Sequence, residues 1–277
     1  MTSEHVSASP EQAITLPLSI RLLQRLEFPH KLGICERLFG KRLARFGVCW
    51  APTAAGLNWK LDLENSTLRW IVYGKYEGSH FLKWAKDFLP PDGVVVDSGA
   101  NIGQMVLYLS QYVPDGQVFA FEPGVHQADW LEECLAVHRH LPVRLERSAL
   151  GDSDGTAFLR SCGPEHSHGS WNQVADEGQA IRMVRLSHFL SDNSVERVDL
   201  WKLDVEGYEV VALKGAEEWL GSHRIRALWI ETVGENGERI RRFLEPLGYR
   251  PFLFETCGKP KAAALLPEHG NALFLPQ

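Results

Sequence analysis

An α/β fold built on a mostly parallel sheet is what this chain predicts, and three observations carry it. From residue 94 onward, short apolar runs alternate with stretches of helical period, the rhythm of right-handed βαβ units. The first such run, "VVVDSGANIGQMVLYL" at 94–109, passes through two glycines four apart straight into a helical pattern. With 44% hydrophobic and 23% charged residues, 277 residues suffice to bury the core of one large α/β domain.

Each element has its own signal. Residues 1 to about 15 are Ser-rich and aperiodic, and are expected to be disordered. From Leu16 to Phe46 apolar residues recur at three and four, and Pro29 splits the stretch into two helices. "NWKLDLENSTLRWIVYG", 58–74, alternates apolar and polar residues around "ENST" and reads as a β-hairpin. A helix over "SHFLKWAKDFL" stops at Pro90-Pro91. Strands are expected at 94–97, 117–121, 143–149, 181–186, 198–204 and 226–231. Helices are expected at 102–112, 126–139, 187–191, 207–220 and 236–247. Two last strands, near 249–256 and 271–275, would form an antiparallel edge hairpin. Residues 161–180 lack period and read as one long loop, which in a compact domain is more often functional than idle. These signals divide the chain into an N-terminal extension, 1–72, and a main domain, 73–277.

Bulk properties narrow the partners. A net charge of −6 and a pI near 6.0 argue against a chain built chiefly to hold nucleic acid, and a neutral or cationic small substrate fits as well as any other. Between Arg21 and Arg45 seven Lys or Arg stand against Glu27 and Glu36. That bias fits a membrane-surface helix or a solvated cationic face on a dimer arm or lid; the second reading is preferred, with a homodimer through the arm. The first twenty residues lack the positive charge and apolar run of a secretory signal, and nothing approaches the ~18 apolar residues of a membrane span. Cys35, Cys49, Cys134, Cys162 and Cys257 are scattered, with no C-x-x-C pair. They are expected as reduced thiols in a cytoplasmic protein.

In "VVVDSGANIG", Gly99 and Gly103 frame a strand-to-helix turn where backbone can approach a ligand and helix N–H groups can meet a carboxylate or phosphate. A tight connection with no ligand would use the same residues. Glu122, ending "GQVFAFEPG" 25 residues past Asp97, is near the spacing of about 20 at which a second-strand acid reaches ribose hydroxyls. Nicotinamide cofactors prefer G-x-G-x-x-G, and Asn101 stands where the second glycine would be. Asp97 would repel a pyrophosphate and suits an ammonium. S-adenosylmethionine, with an ammonium, a carboxylate and a ribose, fits these residue types better than NAD(P), although an NAD(P)-dependent oxidoreductase and a non-catalytic cofactor-binding scaffold stand as alternatives.

The runs "VVVDSGANIGQ", "VFAFEPG", "SALGDSDGTAFL", "DLWKLDVEGYEVVALKGAEEWL", "LWIET" and "NALFLP" resemble the FkbM family of S-adenosylmethionine-dependent methyltransferases, from about Tyr73 to the C-terminus. The resemblance implies a class I methyltransferase fold, a Rossmann-like seven-stranded sheet with helices on both faces and its last strand antiparallel. It also implies O-methylation of a hydroxyl on a sugar, glycolipid or secondary metabolite. Carried over, Asp97, Gly99, Asn101 and Gly103 line the methionine end, Glu122 holds the ribose, Ser148 and Ala149 flank the adenine at the end of the third strand, and Glu77 in "YGKYEG" approaches the cofactor.

In "KLDVEGYE", Asp204 and Glu206 stand two apart at a strand end, which would put them on one face, and the neighbouring strand ends in Glu231. One of the three would be the general base for the hydroxyl; a divalent cation held by the group is the less favoured option, and no metal site is assigned. Glu206 and Glu209 also suit a helix N-terminus for purely structural reasons. In the long loop, His166 and His168 lack a third ligand at metal spacing, and His168, Ser170 and Trp171 are the candidate substrate contacts. The chain departs from the family pattern at Ser187-His188 and in "TVGENGE" after Glu231, positions that bear on substrate and base.

Overall fold

The computed structural model describes residues 13–24, 26, 28–74, 79–255 without 163–170, and 258–277, with backbone alone for 161, 162 and 171. The chain divides into two compact units, one of residues 1–79 with 133–138 and the other of residues 80–132 with 139–277.

In the first unit, α1 (Leu18–Leu23) precedes a helix running through α2 (Lys31–Cys35), a π-helical turn (Glu36–Gly40) and α3 (Lys41–Ala44). Gly40 admits this turn because a Cβ there would lie 2.5 Å from Glu36 Oε1. Then β1 (Val48–Pro52) pairs antiparallel with β2 (Asn58–Asp62), and α4 (Ser66–Tyr73) follows. The expected hairpin over 58–74 is therefore half strand and half helix. Asn65 caps α4, its side chain accepting from Thr67 N at 2.9 Å, and Leu68, Ile71 and Val72 bury one helical face. The period after the "ENST" turn is 3.6, and the first strand's partner lies upstream. Arg69 is clamped on the half-buried Glu36 carboxylate and donates to Leu63 O at 2.6 Å, so the buried guanidinium is matched.

The second unit contains α5 (Ser79–Phe88, which begins at the boundary), β3 (Val94–Ser98), α6 (Val106–Tyr112), β4 (Gln117–Phe121), α7 (Val125–Val137, whose end belongs to the first unit), β5 (Val143–Glu146), β6 (Ser148–Leu150), β7 (Gly155–Cys162), β8 (Trp171–Ala175), β9 (Gln179–Val184), α8 (Leu186–Asp192), β10 (Leu200–Leu203), α9 (Glu209–Lys214), α10 (Glu217–Gly221), β11 (Leu228–Glu231), α11 (Glu235–Leu244), β12 (Tyr249–Phe254), β13 (Pro260–Ala262) and β14 (Asn271–Pro276). The main sheet has eight strands in the order β13-β12-β14-β11-β10-β3-β4-β5. From β11 to β5 neighbours are parallel, while β14 lies antiparallel between β11 and β12. This is the class I methyltransferase arrangement. The expected antiparallel pair, β12 with β14, closes this end of the sheet, with β14 seated between β11 and β12 so that Ala272, Leu273 and Phe274 are fully buried; the small strand β13 adds the eighth member outside β12.

A second sheet, β6-β9-β7-β8, accounts for further differences. The expected strand 143–149 breaks at Arg147: β5 ends in the main sheet and β6 starts in the second. The expected loop 161–180 contributes β8 and the start of β9 to the same sheet. The helix expected over 207–220 is interrupted at Gly215, where a Cβ would sit 2.0 Å from Gly151 O. Below the main sheet Trp201, Leu203, Leu213, Leu228, Ile230, Ile240 and Phe274 share one core, while Trp229 stacks on Phe81 with centroids 4.3 Å apart. Among the described residues no helix is long and apolar enough to cross a membrane. Cys35, Cys49 and Cys134 are buried free thiols.

Candidate active site

Strand register builds the site. Ser98 pairs with Phe121 on one side and Leu203 on the other, and Leu203 pairs with Ile230. The next residue on each strand is therefore Glu122, Gly99, Asp204 and Glu231, a row across the C-terminal ends of β4, β3, β10 and β11, where open α/β sheets place their ligand crevice.

Gly99 is demanded by this packing. Its φ is +75°, and a Cβ would fall 1.8 Å from the Asp204 carbonyl oxygen. The close approach is thus to the neighbouring strand end. The turn's amides are likewise largely used within the protein: Gly99 and Ala100 donate to Phe121 O at 3.0 Å, Gly103 donates to Ala100 O at 2.8 Å, and Asn101 N donates to Glu122 Oε2 at 2.8 Å. The expectation that this turn opens a free helix N-terminus to an anion is corrected accordingly, since α6 starts only at Val106. Asn101 and Gly103 both sit at positive φ, +49° and +86°.

Glu122 is buried and accepts from Gly124 N through its other oxygen, at 2.7 Å. Burial pushes its carboxyl up to about 7, against the pull of the two backbone amides. It ties the β3 and β4 turns together, and each oxygen keeps a lone pair for a further donor.

Asp97 differs from its expected role. Its side chain is fully buried, and its compensation is Lys202, whose Nζ lies 3.2 Å from Oδ1; neither carboxylate oxygen accepts a well-aligned hydrogen bond. A ligand ammonium does not reach it in this arrangement. Lys202 also donates to Gly99 O at 2.8 Å and lies 3.4 Å from Asp204 Oδ2. Burial pulls its ammonium down, but Asp97 and Asp204 more than offset this and hold it above the ordinary lysine value. The residue was absent from the sequence-derived candidates. Its signal was there: a lysine within the apolar strand "DLWKLD" needs an internal counter-charge.

The three acids converge, by a route other than strand alternation. Asp204 lies beyond the end of β10, and Glu206 stands at φ +55°, so the two-residue spacing does not set their faces. Buried Glu209 holds that loop, its Oε1 accepting from Val205 N at 3.0 Å and Gly207 N at 3.2 Å, with Asn236 on the other oxygen. Its role is a loop staple. Glu231 is half-buried, and burial together with the charges of Asp204, Glu206 and Glu209 raises its carboxyl to about 8. Burial and Asp204 also raise Glu206. Among the described residues no three His, Cys, Asp or Glu gather in a metal-holding group.

Ser148 and Ala149 open β6, past the end of the third main-sheet strand, so that expected placement is corrected too. Ala149 packs in the second sheet's core, and Ser148 Oγ is buried without a hydrogen-bond partner among the described residues. Glu77, His166, His168 and Ser170 lie outside the described residues, as does the Trp171 side chain. The two residues after Trp171 touch the site's flanks: Asn172 donates to Gln127 Oε1 at 3.2 Å and Gln173 to Glu206 O at 3.3 Å.

The sequence profile described as the methyltransferase FkbM domain matches residues 97–251, more than half of the chain and the whole of this row. The chain belongs to the FkbM methyltransferase family. Methyltransferase sdnD of Sordaria araneosa is 32% identical to it over 197 residues, covering 58% of this chain and 75% of its own length. The 31-O-demethyl-FK506 methyltransferase FkbM of Streptomyces tacrolimicus is 27% identical over 183 residues, covering 54% and 70%, and the 2-O-methyltransferase NoeI of Sinorhizobium fredii is 27% identical over 151 residues, covering 48% and 61%. Among solved structures, a SAM-dependent methyltransferase from Aquifex aeolicus superposes with a TM-score of 0.41 at 15% identity, over 70% of this chain and 87% of its own. As an FkbM methyltransferase, the protein is an enzyme of group transfer, which displaces the nicotinamide-dependent oxidoreductase reading.

Proposed function

We propose that this FkbM methyltransferase moves the methyl group of S-adenosylmethionine to a hydroxyl of a sugar, glycolipid or secondary metabolite, with Glu231 taking the hydroxyl proton. The observation that carries the proposal is the half-buried Glu231 carboxyl, raised to about 8 in the row beyond the strand ends: a base of that strength removes a proton near neutral pH. Two relatives whose names specify O-methyl transfer support the hydroxyl acceptor.

The residues present fit the cofactor. Asn101 Oδ1 and Ser148 Oγ are buried without partners among the described residues, so polar groups of a bound nucleoside would satisfy them. Glu122, Asn101, Gly103 and Ser148 would hold it, with Asp204 beside its reactive end. When bound, S-adenosylmethionine supplies an electrophilic methyl on a sulfonium. Glu231 accepts the acceptor's proton as its oxygen attacks in line, so no free alkoxide forms. Asp204, anchored by Lys202, sets the negative field beside the reacting centre.

Titration calorimetry with S-adenosylmethionine and with NADH tests the cofactor; heat with NADH alone would refute the reading. Asp204→Asn is expected to lower turnover more than affinity, and Glu122→Ala to weaken affinity. Transfer of isotope-labelled methyl to hydroxylated acceptors, unchanged after chelation, is the expected activity; transfer confined to amines would overturn the O-methyl assignment.

A further inference from the structure

The helix over residues 31–44 presents a face that the methyl-transfer chemistry does not use. Ile34, Arg37, Leu38, Lys41, Arg42, Arg45 and Phe46 are all exposed, recurring at the three- and four-residue spacing of a single helical face. Leu38 is 64% exposed, and Leu18 and Leu22 on α1 are 70% and 58% exposed, adjoining Arg21 in sequence. Arg37, Lys41, Arg42 and Arg45 enter no ion pair among the described residues, whereas Glu36, on the opposite side, is consumed by Arg69. Cations and bare apolar side chains are thus concentrated on one face of a chain whose net charge is −6.

We propose that this face docks the protein onto an anionic lipid surface, with Leu38, Ile34 and Phe46 entering the headgroup boundary and the four cations meeting lipid phosphates. Charge complementarity selects this occupant. Exposed Arg and Lys residues are interleaved on this face with the exposed apolar Ile34, Leu38 and Phe46, which is the pattern of a helix lying in a membrane interface. A second copy of the same face would bring four cations, unpaired among the described residues, against four others, at a repulsive cost. The choice therefore reverses the sequence-based preference for a dimer arm. It places the enzyme beside amphiphilic acceptors and is independent of which cofactor the main site takes.

The test is co-sedimentation of the purified full chain with vesicles of phosphatidylcholine alone and with about 30% phosphatidylglycerol, at low and high salt. Binding only to the anionic vesicles, weakened by salt, is the expected result. Removing two cations in Arg37→Gln/Lys41→Gln should lower partitioning about 25-fold, at about fivefold per basic residue. Leu38→Ser should weaken it by a separate, salt-independent step. Neither change breaks an ion pair among the described residues, and unchanged melting curves verify the fold. Equal sedimentation with both vesicle types, or wild-type binding by the double variant, overturns the proposal. So does a lack of vesicle binding accompanied by a dimer in light scattering that Leu38→Ser dissociates, or by capture on an acidic peptide.

Discussion

Replacing Lys202 by Met removes the positive charge that sits between two acids. At 3.2 Å from Asp97 Oδ1 and an effective dielectric near 20, the pair's attraction is about 5 kcal/mol before desolvation, and the lysine also donates to Gly99 O. Removing one member of a buried pair strands the other, so Lys202→Met should cost about 3–5 kcal/mol, a large part of a domain's stability. Asp97→Asn alone should cost less, because Lys202 keeps Asp204 and the backbone carbonyls. The double variant should be more stable than the two single losses added together, with a coupling of about 2–3 kcal/mol. Urea unfolding of all four proteins measures this cycle. A pH signature accompanies it. Burial drives the Asp97 pKa up and Lys202 opposes it, so in Lys202→Met the folded pKa rises further above the unfolded one. A raised pKa contributes stability below the unfolded value and loses it as pH rises through the folded value, so the deficit should grow as pH climbs above the ordinary aspartate range. A loss under about 1 kcal/mol, or strict additivity, would refute the reasoning.

Gly99→Ala places a Cβ 1.8 Å from the Asp204 carbonyl at a φ of +75° and should cost more than about 4 kcal/mol, seen as loss of the cooperative melt. Turnover should rise with pH through about 8 as Glu231 deprotonates; Glu231→Gln should lower kcat by roughly 10²–10⁴-fold and abolish that limb, and an unshifted profile would assign the base elsewhere. Glu122, raised to about 7, contributes stability below the ordinary glutamate range that is lost as pH climbs through 7; Glu122→Gln should remove up to about 3 kcal/mol of that decline, read by denaturation at pH 5 and pH 8. Asn65→Ala should cost about 1 kcal/mol by uncapping α4, whereas a hairpin turn there would predict no loss of helical circular dichroism.

Legibility in the sequence followed the range of the interactions. The glycine turn, Glu122 and the alternation from residue 94 are local patterns, and they specify the βα connection from β3 to α6 with an acid at the end of the next strand. The stretch 58–74 departs from a hairpin because its first half alternates while its second half is helical, and Asn65, which divides them, serves equally well as a turn residue or an N-cap. The long loop concealed β8 because strand pairing there depends on β7, in a register that runs from Cys162 opposite Trp171 to Phe158 opposite Ala175.

The sequence alone determined the fold class, the family and the row of acids, since these rest on periodicity and on short motifs whose residue types are set by backbone geometry. Tertiary structure decided what each acid does. Asp97 and Asp204 are both aspartates at the ends of neighbouring strands. Only the register that sets Lys202 between them makes one a sealed counter-ion and leaves the other facing the crevice. A carboxylate's role follows from its burial and its nearest charge, and for Asp97 that charge is Lys202, about a hundred positions away in the chain.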